Sequence, residues 1–277
     1  MLDIQDFSGA NNLSHSLRNG GSSPQTGPVL GRLGSLEVRI ARNNMEMDGA
    51  YDVRRKVFLE DGHGSDTDRF DTCCDHLVVV DTGENRVVGT YRLINRDAAQ
   101  AVGSWYSESE FDLDPMMQAH PKLSFLEFGR SCILHEFRSK RTLELLWHGS
   151  WAWVVQNRHD VMFGCASFDG TDPQAHREAL SFLHHNARGR DGWQVRALPQ
   201  MRGIFEPLAP DEIDVKKALR ALPTLIKGYM KLGAKFSAEP AIDHEFGTTD
   251  VLVILPVADL NPRYVNYYGA NAERHAA

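Results

Sequence analysis

At 277 residues, 42% of them hydrophobic, the chain can bury one sizeable core or two small ones, and global disorder is excluded. A formal net charge of −7 argues against nucleic-acid binding, because phosphate recognition needs a basic face. Cys73, Cys74, Cys132 and Cys165 form no CxxC pair, so neither a zinc ribbon nor a dithiol motif is expected and a reduced cytoplasmic setting fits. No basic segment followed by an apolar run opens the chain, and no later run reaches the roughly 18 apolar residues that span a bilayer.

Residues 1–35 are rich in Asn, Gly and Ser and read as a flexible tail. Leu36 to Ile40 alternates as a short strand, and Met47 to Leu59 reads as a helix with Val53, Val57 and Phe58 on one side. The loop Glu60 to Asp71 is polar and rich in Asp. His76 to Val80 and Arg86 to Ile94 are β-branched runs flanking the turn residues Asp81 to Asn85, which predicts an antiparallel hairpin. Ser124 to Leu134 reads as a strand, Arg141 to Asn157 as a helix and Val161 to Phe168 as a strand, an order that predicts a parallel crossover. Asp211 to Leu232 reads as one helix, whose Lys216, Lys217, Arg220, Lys227 and Lys231 are most simply a solvated face. Lys235 to Ile242 and Asp250 to Val257 supply the last strands. The expectation is one mixed α/β domain over residues 36–270, followed by a short tail, 271–277.

Several charged residues stand out within these elements. Glu127 and Arg130 lie in a strand whose neighbours Phe125, Leu126, Phe128 and Ile133 predict burial, so a charge there needs a partner or a function. Arg54 and Phe58 share a helix face four residues apart, and Asp68 and Asp71 belong either to turn chemistry or to a site. Arg138, Ser139, Lys140 and Arg141 open a helix whose dipole disfavours cations there, a cost that a bound anion would offset. His135-Glu136 begins like a zinc-protease motif, but Ser139 replaces the second histidine, so no metal site is expected. Cys165 and the Trp147, Trp151 and Trp153 cluster read as packing.

The pieces Arg54-x-x-Val57-Phe58, Asp68-Arg69-Phe70-Asp71, Val88-Gly89-Thr90-Tyr91-Arg92-Leu93 and Glu127-Phe128-Gly129-Arg130 stand in an order that resembles the acyl-homoserine lactone synthases and the ornithine N-acyltransferases. Pro223-x-Leu225-Ile226-Lys227-Gly228-Tyr229-x-x-Leu232-Gly233-Ala234 resembles the ornithine enzymes rather than the synthases. Asp61-Gly62-His63-Gly64 also stands where the synthases carry a tryptophan. The resemblance implies a GNAT-like acyl-CoA N-acyltransferase fold and transfer of a 3-hydroxyacyl group from acyl carrier protein to the α-amine of L-ornithine, giving lyso-ornithine lipid. The 4′-phosphopantetheine would arrive on the carrier, with no separate cofactor. It implies Glu127 as the base, with Arg54, Phe58, Asp68, Asp71, Arg92 and Arg130 around the substrate and either Arg92 or Arg130 on the acceptor carboxylate. Arg138, Ser139, Lys140 and Arg141 would meet the carrier; their loop has no glycine, which suits a carrier protein better than coenzyme A. Asp68, Asp71, Asp243 and Asp250 are the acids that could face the acceptor's distal ammonium. An acyl-homoserine lactone synthase using S-adenosylmethionine and a non-catalytic carrier-binding adaptor are the alternatives, and the amphipathic product leaves room for peripheral contact with the inner membrane.

Overall fold

The computed structural model describes residues 28–59 and 63–260. In chain order its elements are β1 (Val29–Leu33), β2 (Leu36–Ile40), α1 (Asn44–Phe58), β3 (Asp75–Asp81), β4 (Arg86–Asn95), α2 (Arg96–Val102), β5 (Phe111–Asp112), α3 (Asp114–Ala119), β6 (Phe125–Ile133), α4 (Lys140–Gln156), β7 (Val161–Asp169), α5 (Arg177–Asn186), β8 (Arg196–Ala197), α6 (Val215–Ala221), α7 (Thr224–Leu232), β9 (Lys235–Phe236), β10 (Ala241–Asp243) and β11 (Thr248–Pro256). The main sheet runs β1-β2-β3-β4-β6-β7-β11-β10, with β9 also on β11. Every neighbouring pair is antiparallel except β6 and β7, where the predicted crossover through α4 makes a parallel pair. α1 packs on one face against β4 and β6, and α4 packs on the other against β1 to β3.

Asn43 caps α1 by accepting from the Glu46 amide, and Ser139 caps α4 by accepting from the Thr142 amide, so both helices begin one or more residues before the sequence expectation. β1 falls within the segment expected to be tail. Leu33 pairs with Leu36 across Gly34, whose φ of 60° suits glycine, and Leu30 is buried. The rest of that tail, residues 1–27, and the C-terminal segment 271–277 lie outside the described residues. The single helix expected over 211–232 is two, α6 and α7, because Pro223 has no amide hydrogen to donate and holds Leu222 extended. The strand expected over 235–242 is divided into β9 and β10, and the helices α2, α3 and α5 were not anticipated.

Two irregularities shape the middle of the sheet. β6 and β7 pair only at Phe125–Val161, Leu126–Met162 and Glu127–Phe163; beyond this point β6 stays on β4 while β7 follows β11, and the strands part. At the parting point Gly164 lies so close to the Phe128 carbonyl that a Cβ would collide with it. β6 also carries a bulge: Arg130 and Ser131 together oppose Tyr91, and Arg130 takes a left-handed φ of 52°.

Candidate active site

On the α1 face, three arginines and three aspartates form one buried network. Arg54, fully buried in α1, donates from Nε to Asp66 at 2.7 Å, from Nη1 to Asp71 Oδ1 at 2.6 Å and from Nη2 to the Asp66 carbonyl. Arg92 Nη1 donates to Asp68 at 2.7 Å and to Asp71 at 3.2 Å. Arg130 Nε reaches both Asp66 oxygens at 3.1 Å, and its Nη1 donates to the Tyr106 hydroxyl at 2.8 Å. Desolvation opposes the charge on Arg54, but the bonds to Asp71 and Asp66 outweigh it and hold the guanidinium above its ordinary pKa. Asp71 is likewise desolvated, yet Arg54 keeps it below the usual carboxylate range. These charges chiefly satisfy one another, which fixes the loop that carries Asp66, Asp68 and Asp71.

Arg92 differs from its neighbours. Its side chain is 1% exposed, but Nε and Nη2 have no protein partner, while the rings of Phe70 and Tyr106 lie over the guanidinium at 5.4 and 4.8 Å. Nε and Nη2 form the edge that grips a carboxylate with two bonds. Directly opposite on β6 stands Gly129, which leaves space beside that edge.

Glu127 lies on the same face, 1% exposed, and is held by the 3-10 turn Tyr106–Ser109. Oε2 accepts from the Tyr106 amide at 2.8 Å, and Oε1 accepts from the Ser107 amide at 2.7 Å and the Ser107 hydroxyl at 2.5 Å. Burial raises its pKa against the lowering effect of these three donors. The Cys165 thiol, on β7 across the gap, is 3.3 Å from Ser107 Oγ. The Ser107 hydroxyl thus bridges the Glu127 carboxylate and the Cys165 thiol.

The opposite face of the gap is apolar. Tyr91, Phe128, Trp147, Trp151, Met162, Tyr229, Leu232, Val253, Leu255 and Leu260 line a cleft of about 760 Å³ including its open mouth, which reaches through to Cys165. That is the size and character of a site for an apolar ligand. Trp147 and Trp151, expected as packing, form part of its wall. Gly228 lets α7 lie against the Trp147 ring, where a Cβ would collide, and the Tyr229 hydroxyl bonds that of Tyr91 at 2.7 Å. The C-terminal motif quoted above thus closes the cleft.

The remaining expected residues fall into two places. Phe58, at the end of α1, meets Phe246 edge to face, and the Arg130 guanidinium lies over the Phe246 ring at 4.7 Å. Arg138, Ser139, Lys140 and Arg141 sit together and exposed at the start of α4, whose first turn has no acid; Arg138 Nε donates to the Ile133 carbonyl and Lys140 lies 3.8 Å from Glu144. Ser139 is explained by its cap alone. Asp66, Tyr106 and Ser107 escaped the sequence reading: Asp66 was one acid among several in a polar loop, and nothing in residues 106–107 signals that their amides hold a buried glutamate. Asp243 does not face the network, since its Oδ1 caps the turn at Glu245 and Phe246.

A mixed sheet whose one parallel pair splays open beside a buried carboxylate, with an apolar cleft entering from behind, defines an N-acyltransferase of the GNAT class, and residues 51–148 match the acetyltransferase (GNAT) domain model. The chain is 47% identical to the L-ornithine N(alpha)-acyltransferase of Agrobacterium fabrum, over 89% of each chain. It is 44% identical to that of Rhizobium meliloti, covering 100% of this chain and 98% of the relative. It belongs to the L-ornithine N(alpha)-acyltransferase family. Among solved structures, an N-acyl amino acid synthase from uncultured soil microbes shares the fold, with a TM-score of 0.51 at 11% identity over 81% of this chain and 93% of that one.

Proposed function

We propose that this chain moves a 3-hydroxyacyl group from acyl carrier protein to the α-amine of L-ornithine. The observation that carries this reading is the gap between β6 and β7, which joins an acyl-sized apolar cleft on one face to a buried array of charge on the other. The acyl chain occupies the cleft between α4 and α7, and the thioester carbonyl lies at the gap beside the bulge at Arg130, where the ladder is broken and backbone groups are turned out of it.

The acceptor's carboxylate takes the free edge of Arg92 rather than Arg130, whose Nε and Nη1 are already committed to Asp66 and Tyr106 and whose Nη2 faces Asp68 at 3.7 Å. An α-amine with a pKa near 8 or above is mostly protonated at neutral pH and must lose a proton to attack. That proton passes to the Ser107 hydroxyl, which hands its own to Glu127, whose raised pKa suits it to receive one. The amine nitrogen then bonds to the carbonyl carbon, the C–S bond breaks, and the carrier's thiol leaves with a proton. Arg138, Lys140 and Arg141 meet the phosphate of the pantetheine arm and the acidic surface of its carrier.

Mass spectrometry of products formed from a mixed amino-acid pool and 3-hydroxyacyl carrier protein tests the reading. Nα-acylornithine is expected, whereas a lactone made from S-adenosylmethionine, or no product at all, would replace this reading with the synthase or the adaptor. Changing Arg138, Lys140 and Arg141 together to alanine should raise KM for the carrier substrate several-fold and flatten its dependence on salt, with KM for the amine unchanged. An unaltered salt dependence removes carrier docking from this corner. Ser150 also lines the cleft, so Ser150→Phe should shorten the longest acyl chain accepted without altering the preferred amine. A product-length profile like that of the unmodified protein would place the chain elsewhere. Among the described residues no helix is long and apolar enough to cross a membrane, so we place any membrane contact at the surface, where the product is released.

A further inference from the structure

A second group of buried charge lies beyond Cys165, away from the arginines. Glu110, the residue that ends the turn holding Glu127, is 3% exposed, and Asp250, on β11, is 4% exposed. Their carboxylates and the Cys165 sulfur lie within 4.8 Å of one another. Among the described residues no lysine or arginine pairs with either acid, and Glu110 Oε2 and Asp250 Oδ1 have no hydrogen-bond partner. The Thr248 hydroxyl lies two residues before Asp250 on the same side of β11, beside that carboxylate, and lowers its pKa.

Two acids side by side in a dry interior are costly as a pair of anions, so they share a proton until a cation joins them. Burial, with Asp250 and Asp243 nearby, pushes Glu110 up to about 8, and burial pushes Asp250 up to about 6 in spite of the Thr248 and Ser167 hydroxyls and its bond to Glu110. A second orphan of opposite sign stands on the far side of Glu127, namely the Nε and Nη2 edge of Arg92. The thiol of Cys165 spans the interval, 3.7 Å from Glu110 Oε1 and 3.3 Å from Ser107 Oγ. An unsatisfied guanidinium edge, a proton-accepting hydroxyl and an unsatisfied acid pair therefore stand in that order, which matches the carboxylate, α-amine and distal ammonium of a short diamino acid.

Resting on the acyltransfer reading above, we propose that Glu110 and Asp250, with the Thr248 hydroxyl, bind the side-chain ammonium of the acceptor and so select a diamino acid. An alkylammonium carries three donors; Glu110 Oε2 and Asp250 Oδ1 are buried acceptors with nothing to accept from, and the Thr248 hydroxyl beside Asp250 offers a third oxygen. A metal ion fits less well, because Cys165 is held as a protonated thiol by burial and by Glu110, leaving too few anionic ligands for a closed site. Held in this pocket, the distal nitrogen stays protonated and unreactive while the α-amine loses its proton, which fixes which of two amines is acylated.

The test compares L-ornithine with L-norvaline, which lacks only the ammonium, using the full chain and 3-hydroxyacyl carrier protein. With the unmodified protein, kcat/KM for norvaline should be about 10²- to 10³-fold lower, since an acid is then left unpaired. Glu110→Gln and Asp250→Asn should each raise KM for ornithine at least tenfold, narrow the gap to norvaline, and leave the melting temperature equal or higher, because a buried like charge is removed. Equal use of norvaline and ornithine by the unmodified protein overturns the pocket whatever the variants do. So does an equal loss of both activities in the variants, or loss of activity on chelation with recovery on adding a divalent metal. If the unmodified protein acylates neither amine, the failure lies in the acyltransfer reading itself, and the pocket falls with it.

Discussion

Glu127→Gln is expected to lower turnover about 10²- to 10⁴-fold, since the amide cannot take up the proton that the acceptor must lose. The same change also sets an amide NH2 against one of the donors at Tyr106 and Ser107, so a modest fall in stability is expected with it. Ser107→Ala separates the two effects. It keeps both backbone amides on the carboxylate and removes only the hydroxyl, so turnover should fall about 10- to 100-fold while KM for ornithine and the melting temperature stay near their starting values. If Ser107→Ala turns over normally, the proton does not travel through that hydroxyl. If Glu127→Gln also turns over normally, the carboxylate serves only to hold the turn.

Arg54→Met is expected to destabilise the fold by about 3–5 kcal/mol, because it leaves Asp66 and Asp71 buried without their principal counter-charge. Denaturant unfolding followed by circular dichroism measures this, and a change below about 1 kcal/mol would mean that Arg92 and Arg130 suffice. The pH dependence carries a second signature. Asp71 is held below the ordinary carboxylate pKa in the folded protein, so its contribution is present above about pH 4 and is lost as pH falls through the folded value. Without Arg54 that depression shrinks, and the variant's stability should change less between neutral and strongly acidic pH.

The hairpin and the crossover were legible in the sequence because each is written locally, in β-branched runs, turn residues and a helical period between two strands, whereas the parting of β6 from β7 beyond Glu127 was not. The charged motif was legible as a motif but not as a set of roles. Only the folded geometry separates Arg92, with an edge to spare, from Arg130, whose Nε and Nη1 are already used. The acids show the same limit. Asp68 and Asp71 looked available for a substrate cation, yet arginines claim both, while Asp250 gains its meaning from Glu110, which lies 140 positions earlier in the chain. Pairings of that span leave no trace in spacing, and an amide that holds a glutamate can belong to any residue. The break at Pro223 could have been read, since a proline inside a helical period removes a donor.

The contact between Gly164 and the Phe128 carbonyl locates the apex of the split in the sheet. Main chain touches main chain there, with no side chain between, so the apex does not move when the residues around it change. In the acyltransfer proposed above, an incoming thioester slides inward only as far as that apex, and the carbon that reacts is the one that stops there. Depth of entry is thus a property of the backbone, whereas the identity of the amine is a property of side chains borne on other strands. On that reading a change of acceptor leaves the point of attack where it is.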